Sequence, residues 1–540
     1  MTMDSIRIYH QRTKHRTDRY AKGPGYMDWE NQPDPFRRYS GALSKALPLC
    51  AKDLSTTFEQ LDKRSSIPTH PLNLTGIATL LEISLAISAW KEMMGEKWAV
   101  RCNPSSGNLH PTEGYVVTPV LDDLKAGVWH YDSLNHRLEQ RGVPQDEDLE
   151  HWSSEFPEGV FLIGLTSIHG RETWKYGERS FRYCHLNLGH AAMAVGYGAA
   201  CLGWKARILD SPSDEEMELM LGLDWNPKLP PAEKEDSGLM IAISTAHHDP
   251  TAISTHVEDL AQLGEKASWN GRPNHLTQNP LREWVAVREA YHASHKPRKP
   301  VSKPPVLPER PMIANHCSQK AVEIIHQRRS AARYDGQTAL EQASFFRMLD
   351  ALLPCKNTGV WDLFPVATAL HPVLIVHRVI DVDPGVYILP RHPVAEQKLK
   401  HAMRKEYLWE KVDAAPAHLP FYLLERGDGR EFAQIVSCRQ EIAGDGAFTL
   451  GMLAEFDANL KLGAWHYRRL HEEAGALGQV LYLEAEAAGA QGTGIGCFFD
   501  DYFHNLLGLE GDQFQTLYHF TVGAGVVDKR LSTIPPYDRD

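Results

Sequence analysis

The sequence has no excess of basic residues. Its 540 residues contain 57 Lys and Arg against 69 Asp and Glu, which gives a formal charge of −12. A nucleic-acid partner needs a basic face for its phosphates, so this balance argues against one. A small anionic ligand is still allowed wherever cations cluster locally.

Clustered cysteines and long apolar runs are also lacking. The eight cysteines form no C-x-x-C pair and no zinc-like spacing, which predicts a reducing cytoplasm and no metal site. Residues 5–10 lack the apolar stretch of a signal peptide, so no export is expected. The most apolar run, 186–203, contains Asn187 and His190 and predicts a buried helix rather than a membrane span.

What the sequence does contain is an internal repeat. Residues 104–111 (PSSGNLHP) and 365–372 (PVATALHP) share a proline and a Leu-His-Pro frame, but the polar residues of the first copy are absent from the second. The triplet HQR at 10–12 returns at 326–328. A repeat this long exceeds the ~20–50-residue units of solenoids. It predicts two copies of one domain, fused into a pseudo-dimer within one chain.

A proline-dense stretch separates the two copies. Its prolines can neither continue a helix nor donate to a sheet, so we assign residues 1–295 to domain 1, 296–311 to a linker and 312–540 to domain 2. Helices rich in small residues at 186–202 and 476–491 are candidates for the seam between the halves, with ordinary core helices as the alternative.

Each half alternates helical patterns with short apolar, β-prone runs, which predicts the α+β class. The predicted strands include 115–117, 239–243, 374–376 and 517–522.

Basic residues cluster where domain 2 begins. Three guanidiniums and a hydroxyl fall close together, at Arg328, Arg329, Ser330 and Arg333. Arg forks match phosphate oxygens in geometry and charge, and Lys529 or Arg530, after the last predicted strand, could reach the same anion. A solvated charged face is the alternative. The corresponding stretch of domain 1, 246–249, has no permanent cation, so the phosphate site is predicted in domain 2 only.

The turn that begins at Pro104 supplies hydroxyls and an amide. Ser105, Ser106 and Asn108 suit the edge of a planar heteroaromatic ring that carries carbonyls and ring nitrogens. A plain Ser/Asn turn is the alternative.

Together these motifs resemble those of the nitroreductase-like FMN flavoproteins. R-R-S-x-x-R opens domain 2, P-S-S-x-N lies near the first strand, and G-T-G-I-G follows a small-residue helix. The last motif is no Rossmann fingerprint, because it follows a helix instead of joining a strand to one. Residues 12–16, 127–131 and 174–179 are similar to the SagB-type branch, which includes the azoline oxidases. The resemblance implies tandem domains, each with a central, mostly antiparallel sheet flanked by helices.

The resemblance implies one FMN between the halves, with its phosphate on domain 2 and the polar turn of domain 1 beside it. The implied cofactor-binding residues are Arg328, Arg329, Ser330, Arg333, Pro104, Ser105, Ser106, Asn108, Gly492, Thr493, Gly494, Ile495, Gly496, Lys529 and Arg530. The mirror-image site would pair Arg12 and Lys14 with Val366, Ala367 and Thr368. Those residues lack the polar set of the first copy, so one strong flavin site per chain is expected.

The resemblance also implies a catalytic pair, Lys175 and Tyr176. A tyrosine beside an ammonium group ionises more easily, so Tyr176 is expected to take a substrate proton while hydride leaves for the flavin. A lysine lying alongside a packed tyrosine is the alternative. Domain 2 has Trp-His-Tyr at 465–467 in the corresponding place.

The predicted function is FMN-dependent oxidation of a small heterocyclic or peptide-derived substrate. One alternative is an NAD(P)H-dependent nitroreductase or quinone reductase. Another is a flavin-binding, non-catalytic partner in a peptide-modifying complex. An internal pseudo-dimer removes the need for a second chain, so a monomer is compatible with the sequence, and no membrane partner is expected.

Overall fold

The structure is a computed structural model that describes residues 2–225, 229–245, 248–301, 303, 305–356, 360–365 and 367–537. The helices are α1 Thr2–Arg12, α2 Leu74–Glu82, α3 Leu149–Ser154, α4 His169–Tyr176, α5 Ser180–Cys201, α6 Asp214–Leu221, α7 Val257–Lys266, α8 Val285–Ala293, α9 Ala321–Gln327, α10 Gln342–Ala351, α11 Pro393–Ala402, α12 Arg430–Val436, α13 Ile442–Asp445, α14 Phe456–Leu460, α15 His466–Ala487 and α16 Asp500–Leu507.

The strands are mostly short. They are β1 Tyr39–Ser40, β2 Leu43–Ala46, β3 Ile87–Met93, β4 Glu96–Arg101, β5 Thr112–Thr118, β6 Gly127–Asp132, β7 Arg137–Val143, β8 Val160–Ser167, β9 Lys205–Ile208, β10 Asp236–Ser244, β11 Ser268–Trp269, β12 Arg272–Pro273, β13 Leu370–Val376, β14 Gly385–Ile388, β15 Glu410–Lys411, β16 Tyr422–Arg426, β17 Phe448–Ala454, β18 Gln491–Ile495, β19 Gln515–Gly523 and β20 Ser532–Ile534.

Each half is built on one antiparallel sheet, and the two sheets have the same strand order. The first runs β9-β10-β8-β5-β6-β7, with β2 and β11 added on β7; the second runs β18-β19-β17-β13-β14-β16-β15. The four predicted strands lie within β5, β10, β13 and β19, whose residues are all buried. Buried apolar strands covered by helices confirm the α+β class and the tandem arrangement.

The seam between the halves is the crossing of α5 and α15. A Cβ on Gly189 would lie 1.9 Å from the backbone oxygen of Glu472, and one on Gly475 would lie 2.1 Å from that of Leu186. Only glycine allows two helix backbones to approach this closely. The predicted seam is confirmed, although each helix starts earlier than its small-residue run indicated.

All 22 residues of α5 are buried, as the apolar run at 186–203 predicted. Among the described residues, no helix combines the length and apolarity needed to cross a bilayer.

Matching segments follow α1 and α8, and they bind opposite halves of the chain. After α1, the backbone N–H of His15 donates to Asp500 Oδ2 at 3.0 Å, and the Asp500 N–H donates back to the His15 oxygen at 3.1 Å. After α8, Lys296 and Asp214 make the same two bonds at 2.7 and 3.1 Å. α1 therefore packs on the second half in the way that α8 packs on the first.

The correspondence of α1 with α8 corrects one part of the predicted repeat. Because α8 is the structural counterpart of α1, the predicted correspondence of residues 10–12 with 326–328 is wrong. The counterpart of α9 is the segment 58–66. Thr57 forms an antiparallel bridge with Lys320, and the flanking N–H groups of Phe58 and Ala321 each donate across it at 2.9 Å.

The C-terminal arm returns to the first half. β20 pairs antiparallel with β3, and the Tyr537 hydroxyl donates to the Ser133 oxygen at 2.8 Å. The N–H of Ile87 in turn donates to the Tyr537 oxygen at 3.1 Å. The last described residues of domain 2 are therefore held on domain 1.

The described residues of the predicted linker are anchored at both ends. Lys299 Nζ lies 3.0 Å from Asp210 of the first half, and Arg310 Nη2 donates to the Asp350 oxygen of the second at 2.8 Å.

Candidate functional site

A cavity of about 840 Å³ lies between the two halves. The first half contributes the turn 104–108 and the side chains of Asn187 and His190 from α5. The second half contributes residues 328–332 and the strand residues 493–497. The polar turn and the arginine cluster, far apart in sequence, therefore face the same space.

Two arginines enter the cavity wall without a carboxylate partner. Arg328 is buried, donates from Nη2 to the Arg101 oxygen at 3.0 Å, and has no partner for its Nε. Arg329 Nη1 donates to the hydroxyl of Ser88 at 3.1 Å. Burial lowers the pKa of both guanidiniums, that of Arg329 to about 10, and the adjacent Arg328 charge adds to the effect on Arg329. Within the described part of the chain, no carboxylate lies within 4 Å of either group, so the pair presents net positive charge to an anion.

Ser330 joins this cluster to the glycine-rich strand. Its hydroxyl is 2.7 Å from that of Tyr482, which accepts from the Gly494 N–H at 3.0 Å. A parallel bridge connects Ser330 to Gly492, and the Thr493 hydroxyl donates to the Ala331 oxygen at 2.7 Å. A Cβ on Gly494 would lie 1.7 Å from the Tyr518 hydroxyl. Glycine is required there because an aromatic side chain packs directly against the strand.

The polar turn uses two of its three side chains to hold itself. Ser105 Oγ accepts from the His110 N–H at 2.8 Å, and Asn108 Nδ2 donates to the Ala99 oxygen at 2.8 Å. Gly107 and Asn108 have φ near +60°, a conformation that Gly and Asn tolerate best. The first role of Gly107 and Asn108 is therefore to form the turn.

Ser106 connects the turn to a buried carboxyl group that the sequence patterns did not single out. Its N–H and Oγ both donate to Asn187 Oδ1, at 3.0 and 3.1 Å, and Asn187 Nδ2 donates to Glu172 Oε1 at 2.7 Å. The other Glu172 oxygen is buried without a partner. Burial raises the pKa of Glu172 well above its ordinary value, so the fold favours the protonated carboxyl group.

Replacing Glu172 by glutamine should remove a pH dependence of stability. With a raised pKa in the fold, Glu172 holds a proton that the unfolded chain releases above its ordinary pKa of about 4.3, so the native protein loses stability as the pH rises. E172Q should therefore gain stability over the parent chain progressively as the pH rises above about 4.3, the ordinary pKa of the unfolded glutamate. Melting temperatures across this range measure it. The exposed E158Q variant is the control, and parallel profiles for E172Q and the parent chain would contradict the assignment.

Lys175 and Tyr176 lie under the turn at the end of α4. A Cβ on Gly107 would be 2.5 Å from the Tyr176 hydroxyl and 3.2 Å from Lys175 Nζ, and the ammonium lies 5.5 Å from the Tyr176 ring centroid. Burial, and then the charges of Glu172 and Tyr183, raise the pKa of Tyr176 well above its ordinary value. The expectation that the neighbouring ammonium makes Tyr176 easy to ionise is therefore wrong, since desolvation dominates and the phenol stays protonated.

Comparison with known proteins identifies the second half. Residues 325–524 match the nitroreductase family. This half of the chain is a nitroreductase-family domain. The trifolitoxin-processing protein TfxB of Rhizobium leguminosarum is 30% identical over 240 residues, covering 42% of this chain and 63% of TfxB. A candidate nitroreductase of Methanocaldococcus jannaschii is 26% identical over 158 residues, covering 28% of this chain and 78% of the relative.

A solved structure shares the fold of the whole chain. The crystal structure of a candidate nitroreductase from Anabaena variabilis has a TM-score of 0.68 and covers 97% of this chain and 99% of its own, at 20% identity. The expectation of a nitroreductase-like, SagB-type protein is confirmed.

Some predicted site residues of the nitroreductase-family domain do not face the cavity. Arg333, Lys529 and Arg530 are exposed and are not among the residues that line it. Arg530 instead pairs with Asp528 at 2.7 Å. The anion would therefore meet Arg328 and Arg329 rather than the C-terminal cations.

The predicted mirror-image site is not assembled. Arg12 pairs with Glu178, and Lys14 Nζ lies 2.8 Å from Asp501 Oδ1. Val366 lies outside the described residues, and Ala367 is exposed. Just before residues 366–368 of the second half, the side chains of Trp361, Leu363 and Phe364 are buried. Leu363 packs against Gly196 of α5 in the first half.

The sequence contains a signal for the true correspondence of the two halves, which the HQR match at 10–12 obscured. Residues 63–66 (KRSS) are similar to 328–331 (RRSA), and each stretch follows one of the two segments that pair across Thr57 and Lys320. A basic pair followed by serine therefore occurs in both halves.

His371, His392 and Glu455 are close enough to hold a metal ion, but their hydrogen bonds account for them. Each histidine accepts a backbone N–H at Nδ1, so its proton is on Nε2, which faces Glu455 at 3.3 and 2.8 Å. Both ring nitrogens are thus used without a metal ion.

Proposed function

We propose that the chain is an FMN-dependent oxidoreductase of the SagB type, which oxidises a small heterocyclic or peptide-derived substrate. One observation carries the proposal: the cavity between the halves joins two guanidiniums without carboxylate partners to the polar turn of the other half. Its volume of about 840 Å³ lies within the ~300–1,000 Å³ range of cofactor pockets.

The residues present fit FMN. Arg328 and Arg329 would donate to its phosphate with charge-assisted hydrogen bonds, and Ser330 adds a hydroxyl donor. The turn 104–108 and residues 493–496 would border the ring, whereas the predicted Gly492 is not among the residues that line the cavity. FMN, when bound, would accept a hydride from the substrate.

Lys175 and Tyr176 would handle the substrate proton from beneath the turn. Because the Tyr176 phenol keeps its proton, it would donate a hydrogen bond to the substrate rather than stand ready as a base. Lys175 lies beside it and is half-buried, so it can reach the same substrate atom. Proton transfer by a positioned side chain contributes about 10²–10⁴-fold to a rate.

Replacing Lys175 by alanine together with Tyr176 by phenylalanine should therefore lower turnover by about 10²-fold or more. Bound flavin should be retained, because neither residue contacts the arginine pair. Turnover and the flavin absorbance of the purified variant measure the two effects separately. Unchanged turnover would remove the pair from the mechanism, and lost flavin would assign it to binding instead.

One flavin per chain is expected. Val366, Ala367 and Thr368 lack the polar set of the first turn, and aromatic side chains are buried just before them. Extraction and quantitation of the flavin should give a ratio near one, and a ratio near two would contradict the proposal.

The reductase alternative is supported by the name of the Methanocaldococcus jannaschii relative, whereas the name of TfxB supports a processing role. Anaerobic bleaching of the bound flavin by NAD(P)H alone would favour the reductase. A chain that holds FMN but turns over only with a companion protein would favour a partner in a peptide-modifying complex.

A further inference from the structure

Two cysteines lie side by side in the wall of the cavity. Cys438 follows α12, Cys497 follows β18, and both line the space that also holds Arg328 and Ser106. Gln440 Nε2 donates to the backbone oxygens of Ser437 and Cys497 at 2.7 and 3.1 Å, and the Phe499 N–H donates to the Val436 oxygen at 2.7 Å. The two segments that carry the cysteines are therefore hydrogen-bonded to each other. They are far apart in sequence, so no C-x-x-C pattern marks the pair.

The backbone at Cys438 has an uncommon conformation. Cys438 and Arg439 have φ of 55° and 61°, in the left-handed region that few non-glycine residues adopt. The Cys438 thiol on the cavity wall therefore belongs to a residue whose backbone is in the left-handed region.

The surroundings favour a thiolate at Cys497. His15 Nδ1 accepts the Ala21 N–H at 2.9 Å, so the His15 proton is on Nε2, the nitrogen left to bond to Cys497. Arg179 donates to the Gly496 oxygen at 3.1 Å and adds a positive charge nearby. The neighbouring Cys438 thiol, and then His15 and the Arg179 charge, lower the pKa of Cys497.

The pKa values of three other cysteines are shifted in the opposite direction. Burial raises the pKa of Cys102 and Cys201 to about 12, and that of Cys50 is also raised. A thiolate with a neighbouring thiol is the arrangement of a redox-active pair, because one sulfur attacks and the other resolves.

We propose that Cys438 and Cys497 are a redox-active dithiol that exchanges two electrons with the flavin in the cavity. The Cys497 thiolate and the Cys438 thiol form one S–S bond, and the S–H bond of Cys438 is lost; the two electrons and the Cys438 proton pass to the flavin. The reverse reaction reduces the disulfide. This inference rests on the proposed function for its electron acceptor, whereas formation of the disulfide can be tested without it.

The first experiment uses the whole purified chain without added flavin. Equilibration with oxidised glutathione, followed by alkylation and peptide mass spectrometry, should give one disulfide linking Cys438 to Cys497. C438S and C497S should each lack it, and the control C50S should retain it. Before oxidation, Cys497 should react with iodoacetamide about tenfold or more faster than Cys50. Absence of the linked peptide in the parent chain would overturn the proposal.

The second experiment tests the transfer anaerobically and in both directions. Dithiol protein mixed with oxidised FMN, and disulfide protein mixed with reduced FMN, should reach the same mixture, with one disulfide formed for each flavin reduced. C497S should show no such coupling. Bound flavin whose absorbance never follows the disulfide would overturn the dithiol proposal alone. Failure of the parent chain to bind flavin would overturn the proposed function and the transfer step with it.

Discussion

Replacing Arg328 and Arg329 together by alanine should lower the affinity of the chain for FMN by about 100-fold or more. Hydrogen bonds to charged groups contribute about 1.5–3 kcal/mol each, and the double variant removes at least two of them. The loss should be large because the two guanidiniums have no carboxylate partner within the described residues, so their charge is available to the phosphate. Titration of the apoprotein with FMN measures the effect.

Arg333 provides the matched control. It belongs to the same sequence cluster but is exposed and outside the cavity lining, so R333A should bind FMN as the parent chain does. The lysine pair R328K/R329K should show an intermediate loss, since the charge remains and the fork geometry does not. Equal affinity for the alanine double variant and the parent chain would refute the anion site, provided that both apoproteins melt at similar temperatures.

Replacing Gly189 by alanine should destabilise the whole chain by about 3 kcal/mol. In an ordinary helix this change stabilises by up to about 1 kcal/mol, but here the new methyl group would lie 1.9 Å from the Glu472 oxygen. The clash is with backbone, so α5 and α15 must separate. Because the cavity is lined from both helices, FMN affinity should fall as well.

Gly196 lies on the same helix and provides the comparison. A Cβ there would be 3.3 Å from a Leu363 methyl carbon, which can move slightly. G196A should therefore stay within about 1 kcal/mol of the parent chain. Urea unfolding of both variants measures the difference, and similar midpoints for G189A and G196A would show that the seam tolerates added volume.

Sequence patterns predicted the fold well because its determinants are local. Strands such as β5 and β13 are short apolar runs, and the small-residue content of α5 and α15 reflects their close contact. The meeting of the 104–108 turn with Arg328 was implied by the family resemblance rather than by either motif alone.

Other features depend on packing that no local pattern reports. Cys438 and Cys497 meet only after the second half has folded, and Glu172 is distinguished by its burial rather than by its neighbours in sequence. Tyr176 shows the same limit, because its neighbour Lys175 suggested easier ionisation and desolvation outweighed it. The exchange of α1 and α8 was hidden because each matching contact joins one aspartate to backbone groups of His15 or Lys296 that any residue could supply.

Because the C-terminal arm of domain 2 returns to β3 of domain 1, the two halves should stay together when the protein is diluted. In an assembly of two separate chains, a ligand site shared across the contact empties when subunits dissociate. Here the two contributors are tethered, so each sees the other at an effective concentration set by the connecting chain rather than by the amount of protein in solution. The fraction of chains that retain the coenzyme should then be the same at low and at high protein concentration.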